Sequence, residues 1–250
     1  MNPADPLRSP WLKVNRAEEH VEEFQARFKA WRNSGVYEVT SELNPNGTEQ
    51  IIKLRKAKPF PEELTCIIAD VIHNLHAALD QLTFILSTRI ALCTNDKALK
   101  DCYFPTARSL ACFKARIAKG KKSGAFNCAL IGFFQKFEPY PRGKHEALFR
   151  IHELDVADKH RGVVDLHSAD IVCVTGPRSR EFVEFPVDGP GELELGRCEP
   201  GAEVPYKPSV FPRVLVAEIK GVDRHHLDEL GAYRVAVADV LRAAEAEFFA

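Results

Sequence analysis

Between Leu64 and Leu92 the chain carries a long apolar run broken by Asp70, His73, Asn74, His76, Asp80 and Arg89. That stretch is too apolar for a linker and too rich in ionisable groups for a comfortable membrane span. Ile67, Ile68, Val71, Ile72, Leu75, Leu79, Leu82, Ile85 and Leu86 recur at helical period. The spacing therefore predicts one long helix, started by Pro59 and Pro61 and running to about Ala91, buried as the spine of a core. With 250 residues and 45% hydrophobic content, the chain has the material to surround that spine within a single domain, 1–250.

The remaining pattern sorts into helices flanking strands. Ser9 as cap and Pro10 at the first helical position open an amphipathic run that reaches about Asn33. VYEVTSEL and EQIIKLRK, joined by NPNG with Asn46-Gly47, read as a hairpin. Shorter helices are predicted over Ser109–Lys119 and Ala125–Phe137, separated by the loop GKKSG. Glu146–Arg161 reads as another helix, closed by Gly162. From about 163 to 222 short β-rich runs alternate with Gly and Pro clusters, the mark of antiparallel pairing. A last helix from about Arg224 to Phe249 follows, with Asp223 as its cap. The expected class is α+β: a helical core over about 9–162 and 224–250, with an N-terminal hairpin and an antiparallel strand-rich block before the last helix.

Composition narrows the function classes. The formal net charge of −1 excludes a uniformly basic nucleic-acid coat. Seven cysteines, an odd number with no C-x-x-C pair, read as reduced thiols, and the N-terminus has no apolar leader; the expectation is a cytoplasmic protein with no membrane partner. No Walker A, G-x-G-x-x-G or G-x-S-x-G motif occurs, and the fourth residue after His152 is Val156, so zincin spacing is absent. No cofactor and no metal is expected. Charge is uneven, however. Arg108 to Lys144 holds nine bases and one acid, with Phe113, Phe126, Phe133, Phe134, Phe137 and Tyr140 among them. Basic residues with aromatics suit RNA or single-stranded DNA, with Lys119, Lys121 and Lys122 as contacts. The helical spacing of the aromatics favours a core role for them instead. Homo-oligomerisation stays open.

Two clusters could carry chemistry. At about 100° per residue, Asp70, His73, Asn74 and Asp80 share a polar stripe, with His76 at its edge. A carboxylate one turn from an imidazole fixes its tautomer and raises its basicity. The second cluster is HELDVADKHRG, 152–162, where Asp158, Lys159, His160 and Arg161 fan around one turn. Lys, His and Arg there complement the helix dipole. A sharper reading sets Arg161 or His160 against Asp70 or Asp80, as a charged cluster between two helices.

HNLHAALDQL (73–82), Phe104-Pro105, Glu138-Pro139-Tyr140 and LDVADKHR (154–161) resemble, in order and spacing, a family of bacterial proteins of uncharacterised activity. Its members carry H-N-L-R-x-A-L-D-x-L on a long helix, then F-P, then D-K-H-R. His76 stands where that pattern has Arg. A weaker similarity is to HEPN domains, helical RNA-binding or RNA-cleaving modules marked by R-x4–6-H, a spacing that Arg161 and His167 satisfy. That resemblance implies one helix carrying both residues. Two functions follow as expectations. The first is a non-enzymatic binding or structural module, with Asp70, Asn74, Asp158 and Lys159 completing an interhelical charged clamp. The alternative is a HEPN-like nucleic-acid-binding protein or metal-independent ribonuclease, with His73, Asp80, His160 and Arg161 as catalytic candidates.

Overall fold

The first helix, α1 (Arg8–Arg32), buries Pro10, Val14, Ala17, His20, Phe24 and Trp31, a stripe at helical spacing. The structure is a computed structural model, and it describes residues 5–161, 166–175, 180–184, 191–202, 207–216, 225–226 and 229–250. Asp5, rather than Ser9, organises the helix start: its carboxylate accepts the Leu7 N–H at 2.9 Å and its carbonyl accepts the Arg8 N–H at 3.2 Å. Ser9 instead donates to Gln81 on the long helix, at 2.9 Å.

The hairpin forms as β1 (Tyr37–Leu43) and β2 (Gln50–Lys56), antiparallel, with Tyr37 opposite Lys56 and Leu43 opposite Gln50. Asn44 directs the turn. Its side-chain oxygen accepts the N–H groups of Thr48 and Glu49, and Gly47 takes a φ of 67° that glycine adopts without strain. The long helix follows as α2 (Glu63–Arg89), buried along Leu64, Ile68, Val71, Ile72, Leu75, Leu79, Leu82 and Leu86. A short helix that periodicity did not reveal, α3 (Asp96–Lys100), hangs on Asn95, whose side chain accepts from the N–H groups of Lys97 and Ala98.

Ser109 caps α4 (Leu110–Ser123), which continues through residues expected to form the GKKSG loop and stops at Gly124 with φ 82°. Asn127 caps α5 (Cys128–Gln135), and α6 spans Glu146–Arg161 as expected. The strand-rich block contributes β3 (Leu166–Thr175), β4 (Arg180–Glu184), β5 (Glu192–Cys198) and β6 (Lys207–Val216). His225–His226 form a short strand, β7, so the last helix, α7 (Glu229–Phe248), begins later than Arg224; Asp223 lies outside the described residues.

The strands form two antiparallel sheets, ordered β1-β2-β5 and β4-β3-β6-β7. The N-terminal hairpin thus takes its third strand from the late block, Leu54 pairing with Leu193 across a long sequence interval. Ile52 and Leu54 of one sheet and Val172 of the other bury together with Leu195, which makes a small sheet-on-sheet core. The larger core is helical: α1, α6 and α7 all pack on α2, around Leu75, Leu79, Phe133, Phe134 and Leu241. This is an α+β fold, with seven helices among the described residues. None of those helices is long and apolar enough to cross a membrane.

Candidate functional site

Where α2 meets α6, each helix presents polar residues spaced three and four apart: His73, His76 and Asp80 on one, His152, Asp155 and Lys159 on the other. That spacing puts each trio on a single face, so two helices with apolar flanks bring two polar stripes together. Asp155 is the centre. Its side chain is 1% exposed and both oxygens are engaged. Oδ1 accepts from His73 Nδ1 at 3.0 Å; Oδ2 accepts from His76 Nδ1 at 2.8 Å and from Lys159 Nζ at 2.6 Å. On the other side of its ring, His76 Nε2 shares a hydrogen bond with His152 Nδ1 at 3.0 Å. Asp80 Oδ2 lies 3.6 Å from His76 Nδ1.

Electrostatics follow from this packing. Burial alone would raise the Asp155 carboxyl, but the bonds from His76, Lys159 and His73 outweigh it and hold the group well below the usual carboxylate range. Asp80 moves the other way: burial raises it, against the lowering effect of His76 and the Phe104 N–H. His152 is pushed down to about 4 by burial, then by the neighbouring His76 and Arg116 charges. It is therefore neutral at pH 7.

The same two helices are laced to the segment between them. Asp80 Oδ1 accepts the Phe104 N–H at 3.0 Å, and the Phe104 ring meets Phe134 edge-on at 5.6 Å. Four residues on, Arg108 grips Glu153 of α6 through Nε and Nη2, at 3.3 and 2.9 Å. Asn74 takes the Lys13 ammonium at 3.1 Å and donates to the Asp70 carbonyl at 2.8 Å, which ties α1 to α2.

Of the residues singled out from sequence, His73, Asp80 and Lys159 converge, and Asn74 sits beside them in the α1 contact. Asp70 is exposed and Asp158 half-buried, and among the described residues neither makes an ion pair. The side chains of His160 and Arg161 lie outside the described residues, and with them the expected pairing of Arg161 with Asp70 or Asp80. Arg161 ends α6 while His167 lies in β3, so the pair that matches the HEPN spacing is split between two elements. Among the described residues Lys119 pairs only with Asp101, at 3.9 Å, and Lys121 and Lys122 are exposed on the last turn of α4. Phe113, Phe126, Phe133, Phe134 and Phe137 are core residues and cannot stack bases.

His76, His152 and Asp155 were the residues sequence reasoning undervalued. Wheel geometry sets His76 at the edge of its stripe, and nothing local in LDVADKHR distinguishes Asp155. The available signal was the repeated three-and-four spacing on both helices. Among the described residues no group of three or more His, Cys, Asp or Glu could hold a metal ion. Comparison with known families, curated proteins and solved structures finds no match to this chain.

Proposed function

We propose that the protein is a non-enzymatic binding or structural module, with the α2–α6 junction acting as a charged clamp centred on a buried carboxylate. One observation carries this reading: Asp155, at 1% exposure, spends both oxygens on His73, His76 and Lys159 and leaves none toward solvent. A carboxylate arranged this way holds helices together. It is poorly placed to exchange protons with a substrate. Of the residues shared with the resembling family, His73, Asp80, Phe104 and Lys159 take part in side-chain or backbone contacts that need no ligand.

Asp155→Asn tests the clamp. Urea titration should show a loss of about 3–5 kcal/mol, because two imidazoles and an ammonium lose their buried counter-charge. His73→Ala, at a half-exposed position, should cost only about 1 kcal/mol. An Asp155→Asn protein as stable as the parent rejects the clamp. The alternative, a nucleic-acid-binding protein or metal-independent ribonuclease, draws on one observation: His73 is 48% exposed and bonded through Nδ1 to a carboxylate, the arrangement of a general base. RNA cleavage that disappears in folded His73→Ala would favour it over the clamp.

A further inference from the structure

We infer that the cleft between α3, α4 and the chain from Asp101 to Pro105 binds a small phosphate monoester carrying a flat ring, of which a nucleoside monophosphate is the simplest. This rests on the reading of the protein as a binding module, but on no part of the clamp.

The cleft has a volume of about 490 Å³, within the roughly 300–1,000 Å³ typical of small-molecule sites. Among the described residues lining it, Lys97, Arg116 and Lys119 bring three positive charges against one acid, Asp101. On a chain of net charge −1 this is a local concentration of cations. Those cations are also poorly satisfied. Lys119 meets Asp101 at 3.9 Å with both side chains well exposed, a pair water largely screens. Arg116 makes no ion pair among the described residues, although its charge is felt by His152. A guanidinium beside two ammonium groups matches a dianionic phosphate, which the fork can take with two parallel hydrogen bonds.

The rest of the wall is mostly apolar, with Asn95 and Ser123 among its uncharged polar side chains. Phe126 and Ala125 are buried, while Tyr103, at the rim, is 58% exposed for a ring of its size. An aromatic face next to a cationic pocket suits a ligand with a planar ring at one end and a phosphate at the other. A nucleic-acid strand fits less well. The neighbouring phenylalanines are in the core, so successive bases would have no stacking platform along the chain.

Isothermal titration of the full chain with adenosine monophosphate, adenosine and inorganic phosphate, at low and physiological salt, tests the inference. The monophosphate should bind at low salt, about tenfold or more tighter than either fragment. Arg116→Gln, an exposed substitution, should weaken it about tenfold with an unchanged melting curve. Tyr103→Ala should weaken the monophosphate but leave inorganic phosphate unaffected. No heat at millimolar monophosphate in low salt overturns the site. So does RNA affinity that rises with length and ignores Arg116→Gln. Loss of the cleft alone, with Asp155→Asn still destabilising, leaves the clamp standing. Conversely, a bound monophosphate hydrolysed in a His73-dependent reaction supports the cleft and overturns the non-enzymatic reading.

Discussion

His152 is packed where a proton is costly. Burial and the His76 and Arg116 charges lower its pKa from 6.5 to about 4. The folded state therefore favours the neutral ring more than the unfolded chain does. Its contribution to stability is complete above pH 6.5 and is lost as the pH falls through about 4. Across that window the loss approaches about 3 kcal/mol, as a shift of this size implies. Asp80 has the opposite sign, since burial raises its carboxyl and its stabilising effect is greatest in acid. Asp155, held low, adds its own loss as the pH falls through the ordinary carboxylate range and beyond it. Urea titrations from pH 7 to about pH 4 should thus show a falling stability that His152→Asn flattens. An identical pH slope in the variant would mean that the proton is taken up elsewhere.

At the scale of elements, the close approach of α4 to Phe126 is set by one residue. A Cβ on Gly120 would fall 2.1 Å from the Phe126 ring, which is buried and cannot swing aside freely. Gly132, exposed on α5, has nothing within 4 Å of the same position. Gly120→Ala should lose about 1–3 kcal/mol from overpacking, whereas Gly132→Ala should gain about 0.5–1 kcal/mol from helix propensity. Thermal melts of the two proteins check both signs together. Helices this dependent on periodic apolar faces were readable in advance: α2 from its unbroken stripe, α6 to the residue, from Glu146 to the turn before Gly162. What escaped was what periodicity does not encode. The five residues of α3 are held by an asparagine cap rather than by an apolar face, and α1 starts at Arg8 because Asp5 takes the Leu7 N–H on its carboxylate and the Arg8 N–H on its carbonyl. The site was half legible for a related reason. Wheel geometry places His73 and Asp80 on one side, but only the position of α6 decides that His76 points at the partner and that Asp155 becomes its hub.

Across the whole molecule, the two sheets share a core of few residues, so each matters. Ile52→Ala, at a fully buried position, should cost about 2–5 kcal/mol. Combining it with Val172→Ala should cost less than the sum of the two, by about 0.5–3 kcal/mol, since both line the same small cluster. A double-mutant cycle by urea titration measures that coupling, and strict additivity would separate the sheets. The pairing of β2 with β5 was invisible in the sequence because its two runs lie so far apart and nothing local selects one distant strand over another. The ends of the chain repeat the theme: Trp11 donates to Glu245 at 2.6 Å, and Arg234 meets Glu18 at 3.4 Å. On a ribosome, then, α1 and β2 emerge early with apolar faces whose partners have not yet been made. The first helix finds its main partner, α2, soon after the hairpin, but the hairpin must wait for Glu192–Cys198, so the pairing of β2 with β5 is the long-range contact that closes late.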